Sequence, residues 1–151
     1  MLTHKVLDYR TDLLFDIARK ELLGKGNAPE VLLLLNSGGV GRMVANLSSH
    51  AFREHPGEIV EQIDDHQAVA AVHICIFQAV ALAEPVPAGM RRIAPPHLRN
   101  LLMAIGHWPA RDYSRARAAQ IIRQGDVMDL AELDDPGVTV TSWLTDLLPQ
   151  R

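Results

Sequence analysis

The stretch that most limits what this chain can fold into is Ala68–Ala83, AVAAVHICIFQAVALA, which is apolar nearly all round. A segment with no wet face has to lie at the centre of a fold. It is too short to span a bilayer as a helix, and His73 and Gln78 interrupt it. The preceding residues, Glu58, Glu61, Asp64 and Asp65, give the same candidate helix an acidic, wet start. Read by periodicity, residues 58–84 form one long helix whose half from about 66 to 84 is the core of the molecule.

The rest of the chain reads as helices arranged round it. Val6, Leu13 and Ile17, with Leu14, Ala18 and Leu22, place a helix at 3–23, capped by Thr3 and ended by Gly24-Lys25-Gly26. Asn27, Pro29 and Glu30 look like a helix start. Val31–Leu35 is too short for periodicity to decide; a short helix is favoured over a buried strand. Further helices are expected at 39–54, 95–105, 114–124 and 127–133, with a last turn or two at 142–148 and an extended piece at 138–140. The expected fold is therefore all-α, a compact bundle of six to eight helices with little or no sheet. The 151 residues suit one domain. Glu84-Pro85-Val86-Pro87-Ala88-Gly89 is a stiff linker, so the segment 84–90 could divide two lobes.

The glycines of Leu32-Leu33-Leu34-Leu35-Asn36-Ser37-Gly38-Gly39-Val40-Gly41-Arg42-Met43 raise the question of a phosphate loop. A Walker A motif needs a glycine five residues before Gly41, then lysine and a hydroxyl residue after it. The chain has Asn36, Arg42 and Met43 there, and methionine does not ligate Mg²⁺. A G-x-G-x-x-G pattern would need glycine at Val44. The stretch reads as a turn and helix cap, with a residual anion site at Ser37, Gly38, Gly39 and Arg42 as a subordinate reading.

No other catalytic or metal motif emerges. The histidines lack the i, i+4 spacing of helical zinc ligands, and no Glu-x-x-His is present. The histidines read as surface or satisfied core residues, and Cys75 as a small apolar residue. No catalytic residue, metal or cofactor is expected, and an enzyme is the less favoured class. With one cysteine no intramolecular disulfide can form. The N-terminus lacks the apolar core of a signal peptide, which fits a cytoplasmic protein with no membrane association.

Charge is distributed unevenly. Residues 1–88 carry seven Lys/Arg against eleven Asp/Glu, 89–124 carry seven Arg against Asp112, and 125–151 carry six acids against Arg151. The arginines are Arg91, Arg92, Arg99, Arg111, Arg115, Arg117 and Arg123, with Trp108 and Tyr113 between them. They are the main candidates for binding, either to an acidic protein surface or to nucleic acid. The acidic segment 126–135 could also fold back on them. The leading functional expectation is a small interaction or accessory protein that self-associates, with a homodimer as the expected form. A nucleic-acid-binding regulator using the 91–123 block is the alternative. A ligand-binding protein or enzyme with an anion pocket at 37–42 is the second alternative.

Overall fold

The computed structural model describes residues 1–45, 57–80, 98–125, 127–133 and 146–151, with the backbone alone at 45, 77–80, 98, 99 and 124. In chain order the elements are helix α1 (His4–Lys25), strands β1 (Val31–Asn36) and β2 (Gly41–Ala45), helix α2 (Gly57–His66), and strands β3 (Ala68–Val80) and β4 (Leu98–Trp108). A 3₁₀ turn at Pro109–Arg111 then leads to β5 (Tyr113–Gln124) and β6 (Val127–Glu132). The strands form one antiparallel sheet in the order β2-β1-β3-β4-β5-β6.

This overturns the expected all-α helical bundle. Within the segment at 66–84, expected as the core helix, Ala68–Val80 is instead the central strand β3, paired to β1 on one side and β4 on the other, and 81–84 lie outside the described residues. From Ala68 to Ile74 it is apolar on both faces because both faces are covered there, whereas Ile76 is exposed. Val72 and Ile74 point into the core beneath α1, and Ala71 packs on the opposite side with Ile59 and Ile63 of α2. A strand buried on both sides loses its polar alternation and reads like a buried helix. The helix that starts at 57 stops at His66, where Gln67 adopts φ 54° and its N–H returns to the Asp64 carbonyl at 3.1 Å. Within the expected helices at 39–54, 95–105, 114–124 and 127–133, the described residues form β2, β4, β5 and β6 instead; residues 46–54, 95–97 and 134–145, with the extended piece expected at 138–140, lie outside the described residues. Val31–Leu35 is the buried strand, not the favoured short helix. Leu33 and Leu35 face α1, while Leu32 and Leu34 face α2.

α1 forms as its caps dictate. The Thr3 hydroxyl accepts from the Val6 N–H at 3.2 Å, and Gly26, at φ 80°, closes the other end through its N–H to the Leu22 carbonyl. Its buried stripe is Leu7, Thr11, Phe15, Ala18 and Leu22, which leaves Leu13 and Ile17 exposed. The helix runs over β3, β4, β5 and β6. It packs tightly on Gly106 of β4, where a Cβ would stand 2.5 Å from the Thr11 hydroxyl and 3.3 Å from Leu7. Glycine is there because the Thr11 and Leu7 side chains of α1 come close, not because a helix ends.

The Pro-rich linker at 84–90 lies outside the described residues. The strands before and after it pair with each other from Ala71↔His107 to Val80↔Leu98, so both parts of the chain build one sheet.

Candidate interaction surface

Because α1 runs over β3–β6, the end of that face at Val31 and Met43 is left partly uncovered among the described residues. Leu14 and Ile17 of α1, Ala28 of the connection, Val31 of β1, Met43 of β2 and Ile74 of β3 line a groove there of about 200 Å³. Met43 is 50% exposed and Ile17 47% exposed. Exposed large apolar side chains gathered in one place, rather than scattered, mark a contact surface. The groove reaches β2 at Met43, and β2 ends the sheet among the described residues. An end strand offers a row of main-chain N–H and C=O groups to another strand. The other end, β6, carries Asp129 and Glu132 on a six-residue strand, the kind of charge that discourages such pairing.

The glycine stretch is the hairpin turn between β1 and β2, joining two strands and not two helices. Asn36 organises it. Its side-chain Oδ1 accepts from the N–H groups of Gly38 and Val40, each at 3.0 Å, and its carbonyl accepts from Gly39 at 2.9 Å. Gly39 supplies the φ of 80° that the turn needs. The Ser37 carbonyl accepts from the Leu2 N–H at 2.8 Å, which ties the N-terminus to the turn. The amides that an anion would need are thus already engaged within the loop. Arg42 lies on β2 opposite Leu34 and is exposed.

Of the seven arginines, Arg91 and Arg92 lie outside the described residues, and Arg99 is described by its backbone alone. Arg115 and Arg117 project from β5 toward α1, which meets them with acids. Arg115 makes a two-pronged contact to Asp12, both hydrogen bonds at 3.0 Å. Arg117 lies over the Phe15 ring at 4.5 Å, donates from Nε to Glu132 of β6 at 2.8 Å, and stands 3.6 and 3.7 Å from Asp12 and Asp16. Burial alone would lower the pKa of this guanidinium, but the hydrogen bond and charge of Glu132, with Asp12 and Asp16, outweigh it and raise it. Arg111 lies over Trp108 at 5.5 Å, and Arg123 is exposed. The sequence offered the 126–135 segment as a counter-charge. Glu132 serves so, but most of the neutralising acid comes from α1, more than a hundred residues away for the Asp12–Arg115 pair.

Near Arg111, His4 stacks on Tyr113 at 4.1 Å and meets the Trp108 edge at 5.6 Å. Tyr113 donates to Asp8 at 2.6 Å, and that bond, with some burial, raises the phenol's pKa. These aromatics are engaged with α1.

On the opposite face of the sheet lies a polar group that sequence spacing did not reveal. His73 Nε2 is 2.6 Å from Glu30 Oε1, with both side chains nearly buried. His107 sits diagonally across from His73, since Ala71 pairs with His107 and His73 with Ile105. His107 is 5% exposed, and its Nε2 has no hydrogen-bond partner among the described residues. Burial first, and then the neighbouring His73, push its pKa down to about 4. Such a group is a neutral core imidazole at ordinary pH. Among the described residues no three His, Cys, Asp or Glu side chains come together as metal ligands. Glu30 and His73 are 43 positions apart, and only the β1–β3 pairing joins them.

The described residues thus define an antiparallel-sheet protein with a helix on each face and one apolar, open-edged side. Comparison of the chain with protein-family models, with curated proteins and with solved structures returned no match. Among the described residues no helix is long and apolar enough to cross a membrane.

Proposed function

We propose that this chain is a small self-associating interaction protein, cytoplasmic and not catalytic, and that it works through the β2 side of its sheet. The observation that carries this reading is the coincidence of an end strand with an apolar groove whose Met43 and Ile17 are about half exposed. An open edge supplies main-chain hydrogen bonds and the groove supplies apolar area, the two components of recognition by strand addition. The head-to-tail charge pattern of the sequence is not what supports it. Arg115 and Arg117 are already matched by Asp12, Asp16 and Glu132 of the same chain. The same pairing takes two arginines from a nucleic-acid surface, and the engaged amides at 38–40 take the donors from an anion pocket.

The test is light scattering on a gel-filtration column, run over a range of concentrations, at low and moderate salt, with and without a short DNA duplex. The expected result is a dimer that forms with rising concentration and is indifferent to the duplex. A complex with DNA that disappears on adding salt would overturn the reading in favour of the arginine block. A monomer under every condition would remove it altogether.

A further inference from the structure

The main-chain groups of β2 that face away from β1 can be assigned. In the hairpin the Asn36 N–H donates to the Val40 carbonyl at 3.1 Å, so these two residues form a hydrogen-bonded pair. In an antiparallel ladder such pairs alternate with pairs whose N–H and C=O groups point outward. With the observed register, Leu34↔Arg42 and Leu32↔Val44 bond inward. Leu35↔Gly41, Leu33↔Met43 and Val31↔Ala45 do not. Gly41, Met43 and Ala45 therefore turn their N–H and C=O groups away from β1, to the side where no strand pairs with β2 among the described residues.

A second copy meeting this strand across a two-fold axis must pair outward groups with outward groups. An axis on Met43 pairs Met43 with itself and Gly41 with Ala45 of the copy, and each such pair exchanges two hydrogen bonds. Within Gly41–Ala45, an axis on Arg42 or Val44 pairs only two of the three outward residues with one another. The axis on Arg42 also sets two arginines directly opposite each other, a destabilising like-charge pair. The Met43 axis instead puts Arg42 opposite the copy's Val44. Met43 belongs to the α1 face, where it lines the groove, so the same axis brings the two grooves together along one apolar seam. Closure under a two-fold also leaves no β2 edge exposed to further copies.

We infer that the partner at this surface is a second copy of the chain, joined antiparallel through β2 with the two-fold axis at Met43, so that the two sheets become one. The inference rests on the self-association proposed above and adds its geometry. The Met43→Asp variant puts a carboxylate beside its own copy at the axis and in the groove, and is expected to weaken the dimer at least tenfold with the circular dichroism spectrum unchanged. Independently, in a Cys75→Ser background, Met43→Cys is expected to give a covalent dimer with a short bismaleimide, while Val60→Cys on the exposed side of α2 does not. A dimer that survives Met43→Asp, or that crosslinks through Val60→Cys and not Met43→Cys, would overturn this geometry and leave self-association standing. A monomer at every concentration would overturn both.

Discussion

At Gly106 the fold depends on the absence of one carbon atom. The Cβ of an alanine would fall 2.5 Å from the Thr11 hydroxyl, which is buried and already donates to the Leu7 carbonyl at 2.8 Å. α1 must then lift from β4, and Gly106→Ala is expected to cost about 1–3 kcal/mol by overpacking. Adding Thr11→Ala removes the atom struck, so the double variant should be more stable than the sum of the two single losses. Urea unfolding of the four proteins checks this non-additivity. His107 gives a second expectation at this scale. Unfolded, it titrates near 6.5; folded, near about 4. Between those values the unfolded chain holds a proton that the folded chain does not, so lowering the pH through that window favours unfolding, and above it the group has no effect. Between pH 7.5 and pH 5 the loss from this group is on the order of 2 kcal/mol. His107→Leu should make the pH dependence shallower by that amount. An unchanged slope would mean that His107 is not held neutral.

At the scale of elements, the contact between α1 and the β5–β6 hairpin is held by charges of unequal worth. Arg115 and Asp12 have good geometry, but their side chains are 38% and 35% exposed, and water screens such a pair. Arg117 is 20% exposed, lies on Phe15 and joins Glu132, Asp12 and Asp16 in one network. Double-mutant cycles are expected to give a coupling of about 1 kcal/mol for Arg117–Glu132 and only a few tenths for Arg115–Asp12. The reverse order would mean that the two-pronged geometry matters more than burial. How far the sequence foretold these elements follows from the same physics. α1 and α2 were legible, since Thr3, Gly26 and the acidic start of α2 are local signals read locally. β3 was not. Both its faces are covered from Ala68 to Ile74, and its boundary at Gln67 has no glycine or proline to mark it. Its β-branched Val69, Val72, Ile74 and Ile76 were the available hint. In β4, Leu101, Leu102 and Ile105 fit a helical stripe as well as the two faces of a strand. In β5 the alternation of Arg115 and Arg117 with Ala116 and Ala118 was present. Its polar members face the helix-covered side, where Asp12 and Asp16 receive them, so burial did not follow hydropathy. The groove was beyond reach, because it depends on which strands α1 leaves uncovered, and the Glu30–His73 pair depends on register.

At the scale of the molecule, the order of the strands decides how it unfolds. β1, β2 and β3 come from the first half of the chain, and β4, β5 and β6 from the second, with the long β3–β4 ladder joining them at the middle of the sheet. α1, from the first half, lies across β4, β5 and β6 of the second. Leu7, Phe15 and Leu22 share one core with Leu102, Ala104, Ala119 and Ile121. Neither half can bury its apolar face without the other: residues 98–133 alone would expose the side that α1 covers, and residues 1–80 alone would leave β3 as an end strand and α1 without its floor. Division at the proline-rich segment into independently stable lobes would need two separate cores, and this core crosses it. Thermal unfolding is therefore expected to be one cooperative transition, with far-ultraviolet circular dichroism and tryptophan fluorescence changing together. A chain ending at Val80 is expected to show no cooperative transition at all. Two resolved transitions, or a folded 1–80 fragment, would mean that the halves are stable apart and that the β3–β4 ladder only docks them.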